Sequence, residues 1–339
     1  MSKILIGIPS YRCYGFARIC VESILLNTDV PFDLLVIDNA TDIVPEDPTT
    51  TYYKTLEQQY SNFRLISTPG NLGCAISWNT IIEEGFKSKD YDYIAIFNSD
   101  IVTTPNWASK ILKAFNDYPE YSVFAPMEIN TAEIEHITLP NLTLNRLFCQ
   151  NAKKEILEDP KEVYKNLNYI YNGSFYKKAL EFESKTKDMV IPGAGFSSPI
   201  YRKDAFEKVG YYDERFYPSF FEDSDFTVRA DQVGVKSAKT GTCFFHHFGN
   251  ITTNNSGYFT NRAIHETMGR RFHDKWANPK DYNCLRESCR SNKSGMCTLG
   301  FKDYKYPNNS CPSYQFSLTK LIEKNDSIRG KDVLEEDVR

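Results

Sequence analysis

The stretch YIAIF at residues 93–97, closed at once by Asn98, Ser99 and Asp100, decides the fold. An unbroken apolar run of that length, without polar alternation, describes a strand covered on both faces, as in a parallel sheet between helices. Working outward, the same unit recurs as apolar runs at residues 3–8 (KILIGI), 33–37 (DLLVI) and 63–66 (FRLI). Between them Phe16, Ile19, Cys20 and Ile24, and later Leu72, Ala75, Ile76, Asn79, Ile82 and Phe86, fall at helical spacing. Strands alternating with amphipathic helices predict an α/β chain with a mainly parallel, Rossmann-like sheet flanked by helices. In open sheets of this kind the ligand lies beyond the carboxyl ends of the strands. The runs here end in Pro9, Ser10, Tyr11 and Arg12, then Asp38 and Asn39, then Thr68 to Asn71, then Asn98 to Asp100. Each alone is an ordinary strand end; the four together predict one cleft.

Past Asp100 a helix is expected over 107–115 and a strand over 122–125, and residues 130–188 turn polar with no strong period. Order resumes at 190–202, where Gly193, Ala194 and Gly195 suit a strand packed against a ligand or another backbone. A boundary is expected near 281, where Cys, Ser, Asn and Lys take over, giving a domain over 1–280 and an extension over 281–339. Acids outnumber bases 44 to 40 among 339 residues, for a net charge of −4, which argues against a nucleic-acid partner. No run approaches the ~20 apolar residues of a transmembrane helix. The apolar N-terminus is too short for a signal peptide. Nine cysteines without such a signal imply reduced thiols and a cytoplasmic location, or one peripheral to a membrane, so the sequons at Asn141, Asn172, Asn250 and Asn292 are chance matches.

Three motifs carry chemistry. Asp100, at a strand end, can hold a hard divalent ion beside substrate phosphates. Glu222, Asp223 and Asp225 sit among Phe220, Phe221 and Phe226; they are read either as buried functional acids or as a cluster in the first turn of a helix. His246 and His247 follow an apparent strand, and because neighbours on a strand face opposite ways, one of them can address a given site. In the tail, Cys284, Cys289, Cys297 and Cys311 have spacings unlike a structural zinc site and read better as free thiols. Arg262, Arg270 and Arg271, on a helical stretch before the tail, read equally as diphosphate ligands or as a solvated basic face.

Taken in order, IPSYR (8–12), VIDN (36–39), NLGCAISWN (71–79), FNSD (97–100), GAGF (193–196), GYYDERF (210–216), FEDSDF (221–226) and FHH (245–247) resemble glycosyltransferase family 2, its rhamnosyltransferase-like members most. The resemblance covers roughly residues 3–275. It implies a GT-A fold with a nucleotide-binding half (1–127), an insertion or acceptor region (128–189) and an acceptor and catalytic half (190–280). It implies an inverting, nucleotide-sugar-dependent transferase, of the kind used in polysaccharide biosynthesis, taking a UDP-, dTDP- or GDP-linked donor and a carbohydrate or glycoconjugate acceptor. Residue by residue, Pro9, Ser10, Tyr11, Arg12, Asp38 and Asn39 would hold the nucleoside. Asn71, Gly73 and Asn79 would line the nucleotide side, and Asn98, Ser99 and Asp100 would form the DxD-type motif. Asp100 would bind Mn²⁺ or Mg²⁺ with His246 or His247, His246 being preferred by its place directly after the strand. Gly193, Ala194 and Gly195 would lie near the donor sugar and acceptor, and Asp223, beside Glu222, would be the catalytic base. Asn98 departs from the usual Asp, which weakens the case for a metal.

A divalent ion would stabilise the departing diphosphate, while a carboxylate takes the acceptor's proton. The absence of G-x-G-x-x-G and of a P-loop excludes a nicotinamide dehydrogenase and a P-loop phosphotransferase. A sugar-nucleotide nucleotidyltransferase, and an inactive sugar- or nucleotide-binding protein on the same fold, stay open as alternatives.

Overall fold

The computed structural model describes residues 2–42, 46–129, 174–193, 197–249 and 261–277, and the strand pairs 292–293 and 296–297. The first half follows the predicted alternation: β1 (Lys3–Ser10), α1 (Tyr14–Asn27), β2 (Phe32–Asp38), α2 (Pro48–Gln59), β3 (Phe63–Ser67), α3 (Gly73–Lys87) and β4 (Tyr91–Ile96). These four strands run parallel, β1 between β2 and β4 and β3 outside β2. Along β1, Ile4, Ile6 and Ile8 pack with Ala17, Cys20 and Ile24 of α1 and with Trp107 and Ile111 on one face, while Leu5 packs with Ala75, Ile81 and Ile82 of α3 on the other. Burial on both faces is why the run carries no polar alternation. Local chemistry sets the ends: Asp47 caps α2 by accepting from the Thr49 N–H at 2.9 Å, with Pro48 at the first helical position.

The second half comprises β5 (Ile101–Val102), α4 (Trp107–Asp117), β6 (Tyr121–Ile129), α5 (Ser174–Thr186), β7 (Val190–Pro192), β8 (Ile200–Arg202), α6 (Lys203–Val209), α7 (Glu222–Gln232), β9 (Lys236–His247) and α8 (Asn261–Ala277). The sheet reads β3-β2-β1-β4-β8-β6-β9-β5, with β7 on β9. β8 enters antiparallel between β4 and β6, so the stretch expected as one strand over 190–202 is two short ones in different places. β6 runs from Tyr121 to Ile129, five residues longer than the strand expected over 122–125, because its later residues pair with 244–246 of β9. Of the 128–189 region, the described parts are the end of β6 and α5, which packs on β9. Of the tail, β10 (Asn292–Lys293) and β11 (Met296–Cys297) form an antiparallel pair; Cys284, Cys289 and Cys311 lie outside the described residues. Among the described residues, no helix is long and apolar enough to cross a membrane.

Candidate active site

The carboxyl ends of the parallel strands are knitted into one edge. The Asn39 N–H donates to the Ser10 carbonyl at 2.8 Å, and the Thr68 N–H donates to the Asp38 carbonyl at 3.0 Å. The buried Asp38 carboxylate accepts from Thr50 Oγ1 at 2.6 Å and from the Ala40 N–H at 3.0 Å; burial raises its pKa. Asn39 works inward: its Oδ1 accepts from the Leu72 N–H at 3.0 Å and its Nδ2 donates to Ser77 Oγ at 3.0 Å, which seats the start of α3. Ser10 Oγ accepts from the Tyr53 hydroxyl. Just beyond β1, Arg12 and Cys13 both hold left-handed backbone, φ 58° and 62°. Such conformations cost ~1–3 kcal/mol each and gather at functional loops. The Arg12 guanidinium lies over the Tyr11 ring, 5.8 Å from its centroid.

At the start of α3, Asn71 Oδ1 accepts from the Gly73 N–H at 2.9 Å, and Gly73 has φ 76°. A Cβ there would lie 2.7 Å from the Pro218 carbonyl oxygen, to which the Cys74 N–H donates at 2.8 Å. Glycine is therefore required where α3 meets the loop leading to α7. Asn79, expected on the nucleotide side, is fully buried instead; it brackets Tyr212 by accepting from its N–H and donating to its carbonyl, and also donates to Glu214.

Asp100 sits just past β4. Pairing of β5 with β9 sets Val102 opposite His246 and Ile101 opposite His247. The pleat then sends the two imidazoles apart. His247 Nε2 lies 3.2 Å from Asp100 Oδ1 and 3.4 Å from Asn98 Nδ2. His246 has no exposed surface and packs its ring edge-on to Phe248. It is His247, not the preferred His246, that faces Asp100, because strand parity, which the sequence left free, is fixed by the β5–β9 register.

The structure adds Glu128, which the sequence reading passed over. Its carboxylate accepts from the Ser197 N–H at 2.9 Å, and its Oε2 lies 3.6 Å from His247 Nδ1. Burial alone would raise Glu128, but the His247 imidazole brings it down to about 2. Burial alone would lower His247, but Asp100 and then Glu128 raise it to about 10. The available signal was an acid in the otherwise apolar end of β6.

Glu222 and Asp223 open α7, directly after Phe220 and Phe221, whose φ values are 77° and 67°. Glu222 is buried against the Cys74 thiol, and burial followed by the nearby Asp223 pushes its pKa well up. Burial raises Asp223 as well, opposed by the Ser224 N–H that it accepts at 2.7 Å. Asp223 lines a cleft with Asn98, Ser197, Ser237, Trp78 and Tyr212. Asp225 is turned away, paired with Arg229 at 2.9 Å and with Lys275. Ser237 also ties Gly193, accepting its N–H at the carbonyl and donating its hydroxyl to the Gly193 carbonyl; Ala194 and Gly195 lie outside the described residues. Arg271 donates to the Arg215 carbonyl.

A sequence profile described as glycosyl transferase family 2 matches residues 5–210. The chain belongs to glycosyl transferase family 2. No curated protein matches its sequence. Among solved structures, S. aureus TarS residues 1–349 aligns at 15% identity and a TM-score of 0.45, covering 78% of this chain and 64% of that one. Mannosyltransferase PcManGT from Pyrobaculum calidifontis, in complex with GDP-Man and Mn²⁺, aligns at 11% identity and a TM-score of 0.44, covering 72% and 56%. The chain thus spans less than two thirds of the length of these structures.

The chain has a GT-A fold, and its two halves divide the candidate site between them. β1–β4 supply Ser10, Asp38 and Asp100, inside the matched range. α7 and β9 supply Asp223 and His247, beyond it. An acidic side chain with a raised pKa, lining a cleft walled largely by apolar and aromatic residues, is suited to taking a proton from a hydroxyl.

Proposed function

We propose that this glycosyltransferase moves a sugar from a UDP-, dTDP- or GDP-linked donor to a hydroxyl of a carbohydrate or glycoconjugate, with inversion and with Asp223 as general base. The observation that carries this reading is the sharing of one cleft by Asn98, at the strand-end edge, and Asp223, at the start of α7. The strand-end segments 9–12 and 38–39 face the nucleotide. The acceptor enters from the α7 side, where Asp223 accepts its hydroxyl proton as the oxygen attacks the anomeric carbon. Attack from the face opposite the nucleotide breaks the bond to the diphosphate and inverts the centre. Burial, which raises Asp223, brings its basicity closer to that needed for proton transfer near neutral pH. Burial and the neighbouring Asp223 push Glu222 well up, which favours its neutral form beside the base.

For a divalent ion, the donor set fits as a two-residue site. Asp100 offers a hard oxygen and His247 an imidazole nitrogen from facing sides; Glu128 lies against the opposite nitrogen of the ring and does not converge with them. Among the described residues, no group of three or more His, Cys, Asp or Glu side chains is arranged to hold an ion. The remaining ligands of Mn²⁺ or Mg²⁺ would come from the donor phosphates, and the bound ion would supply charge neutralisation for the departing diphosphate. A second, metal-independent reading is favoured by His247 itself. Its raised pKa favours an imidazolium beside Asn98 and Asp100, a cation that in this reading takes the ion's place against the donor phosphates.

The test measures release of nucleotide diphosphate from a panel of UDP-, dTDP- and GDP-linked hexoses, with and without EDTA. Release that stops in EDTA and returns with Mn²⁺ supports the two-residue metal site; release unaffected by EDTA supports the imidazolium. No release from any donor, with binding intact, would leave an inactive binding protein and contradict the proposal.

A further inference from the structure

The family profile ends at residue 210, yet α8, more than fifty residues later, reaches back into the proposed site. Lys275 of α8 is 2% exposed. Its Nζ lies 2.9 Å from Asp213 Oδ2 and pairs with Asp225 Oδ1. The same Nζ lies 5.8 Å from the Phe216 ring centroid and 5.5 Å from that of Trp276. Asp213 is also held by Arg215, from Nε at 2.8 Å and a terminal guanidinium nitrogen at 2.7 Å, and Asp225 by Arg229. Asp213 belongs to the loop that Asn79 fastens to α3. Asp225 is in the first turn of α7, two residues from Asp223. One buried ammonium therefore spans the loop tied to the strand-end edge and the turn that carries the acidic pair.

A second contact has the same direction. Phe220 and Phe221 hold left-handed backbone immediately before Glu222, a conformation that survives only where its surroundings enforce it. Their rings pack on His265 of α8, with centroids 5.3 and 4.9 Å away, and Phe221 also meets Phe272 at 5.6 Å. Helix α8 thus meets the turn through two kinds of contact, the Lys275 charge on Asp225 and aromatic packing on Phe220 and Phe221.

We propose that Lys275 is a positioning residue for the transfer reaction, fixing the Glu222–Asp223 turn against the strand-end edge, and that α8 is a working part of the site. A well-packed apolar side chain would serve stability as well or better than a buried ion cluster. What the charges add is a single permitted geometry, since both carboxylates must meet one nitrogen. This inference rests on the reading of Asp223 as the base, and its test separates the two.

The experiment uses the full chain and whichever of the UDP-, dTDP- and GDP-linked hexoses releases nucleotide diphosphate fastest. Single-turnover release and the Kd of the matching nucleotide diphosphate are measured for Lys275→Met, Asp223→Asn and the double variant, with pH–rate profiles for the first. Displacing the turn by a fraction of an ångström should slow release by ~10-fold or more. The Kd should stay within about twofold, because β1–β4 are untouched, and the acid limb of the pH profile should move, which general loosening elsewhere would not do. The double variant should be no slower than Asp223→Asn alone. An undiminished rate in Lys275→Met, or an equal further loss on top of Asp223→Asn, would overturn the role of Lys275 while leaving the base assignment standing. A near-normal rate in Asp223→Asn would instead remove the base assignment itself. Should Lys275→Met lack a cooperative thermal transition, Asp225→Asn/Lys275→Met, which removes the opposing charge too, carries the same comparison.

Discussion

Glu128 Oε2 stands 3.6 Å from His247 Nδ1, and this contact turns the opposite nitrogen of the ring toward Asp100. A carboxylate behind a functional histidine fixes which nitrogen faces the site and makes the ring more basic. Glu128→Gln keeps an acceptor for the Ser197 N–H but removes the charge. The His247 pKa should fall from about 10 by at least ~1 unit, seen in an NMR titration of the imidazole. An unchanged midpoint would show that Asp100 alone sets it.

The same cluster dictates how stability follows pH in metal-free buffer. His247 is raised in the folded chain, so its contribution is complete below its ordinary value near ~6.5 and is lost as pH rises through about 10. Glu222 and Asp223 are also raised, and their contributions likewise fall as pH rises. Glu128 is depressed, so its contribution is present above ~4.5 and lost as pH falls through about 2. Urea unfolding should therefore give a stability that declines from pH 6.5 to 10, at up to ~1.4 kcal/mol for each unit of raised pKa, with a shallower decline in His247→Gln. A stability that climbs over that window would contradict the assigned shifts.

Gly73→Ala tests the junction of α3 with the loop before α7. The φ of 76° costs an L-residue ~1–2 kcal/mol, and the new Cβ would press on the Pro218 carbonyl oxygen and the Tyr217 ring. Chemical denaturation should show a loss of at least ~2 kcal/mol. A neutral substitution would mean the loop yields freely.

Much of this was legible in the residues. The runs at 3–8, 33–37, 63–66 and 93–97 became the four parallel strands, because burial on both faces leaves an unmistakable apolar signature. Asp100 and Asp223 were marked by punctuation, an acid directly after an apolar run and an acid between phenylalanines. What stayed hidden depends on pairing between distant segments. His247 rather than His246 follows from the register of β9 against β5, and Asn79 turns inward because the loop at Tyr212 closes over it. Glu128 and Lys275 were masked by position, one at the end of an apolar strand and the other on a helix whose surface is mostly charged. Their partners lie 119 and 62 residues away, between His247 and Glu128 and between Lys275 and Asp213, beyond any local pattern.

Asn98→Asp restores a carboxylate at the position where this chain lacks one. A second negative charge near Asp100 should tighten Mn²⁺ by about tenfold in the presence of nucleotide diphosphate, ~1.4 kcal/mol, measured by isothermal titration calorimetry. An unaltered affinity would place Asn98 away from the ion.

The assignment of Asp223 as base is tested most directly by single-turnover transfer beside donor titration in Asp223→Asn. The amide keeps the size of the side chain and its bond from the Ser224 N–H, but cannot take a proton. Transfer should fall by at least ~10² while donor affinity is preserved. Near-normal transfer, or a loss accounted for entirely by weaker donor binding, would contradict it.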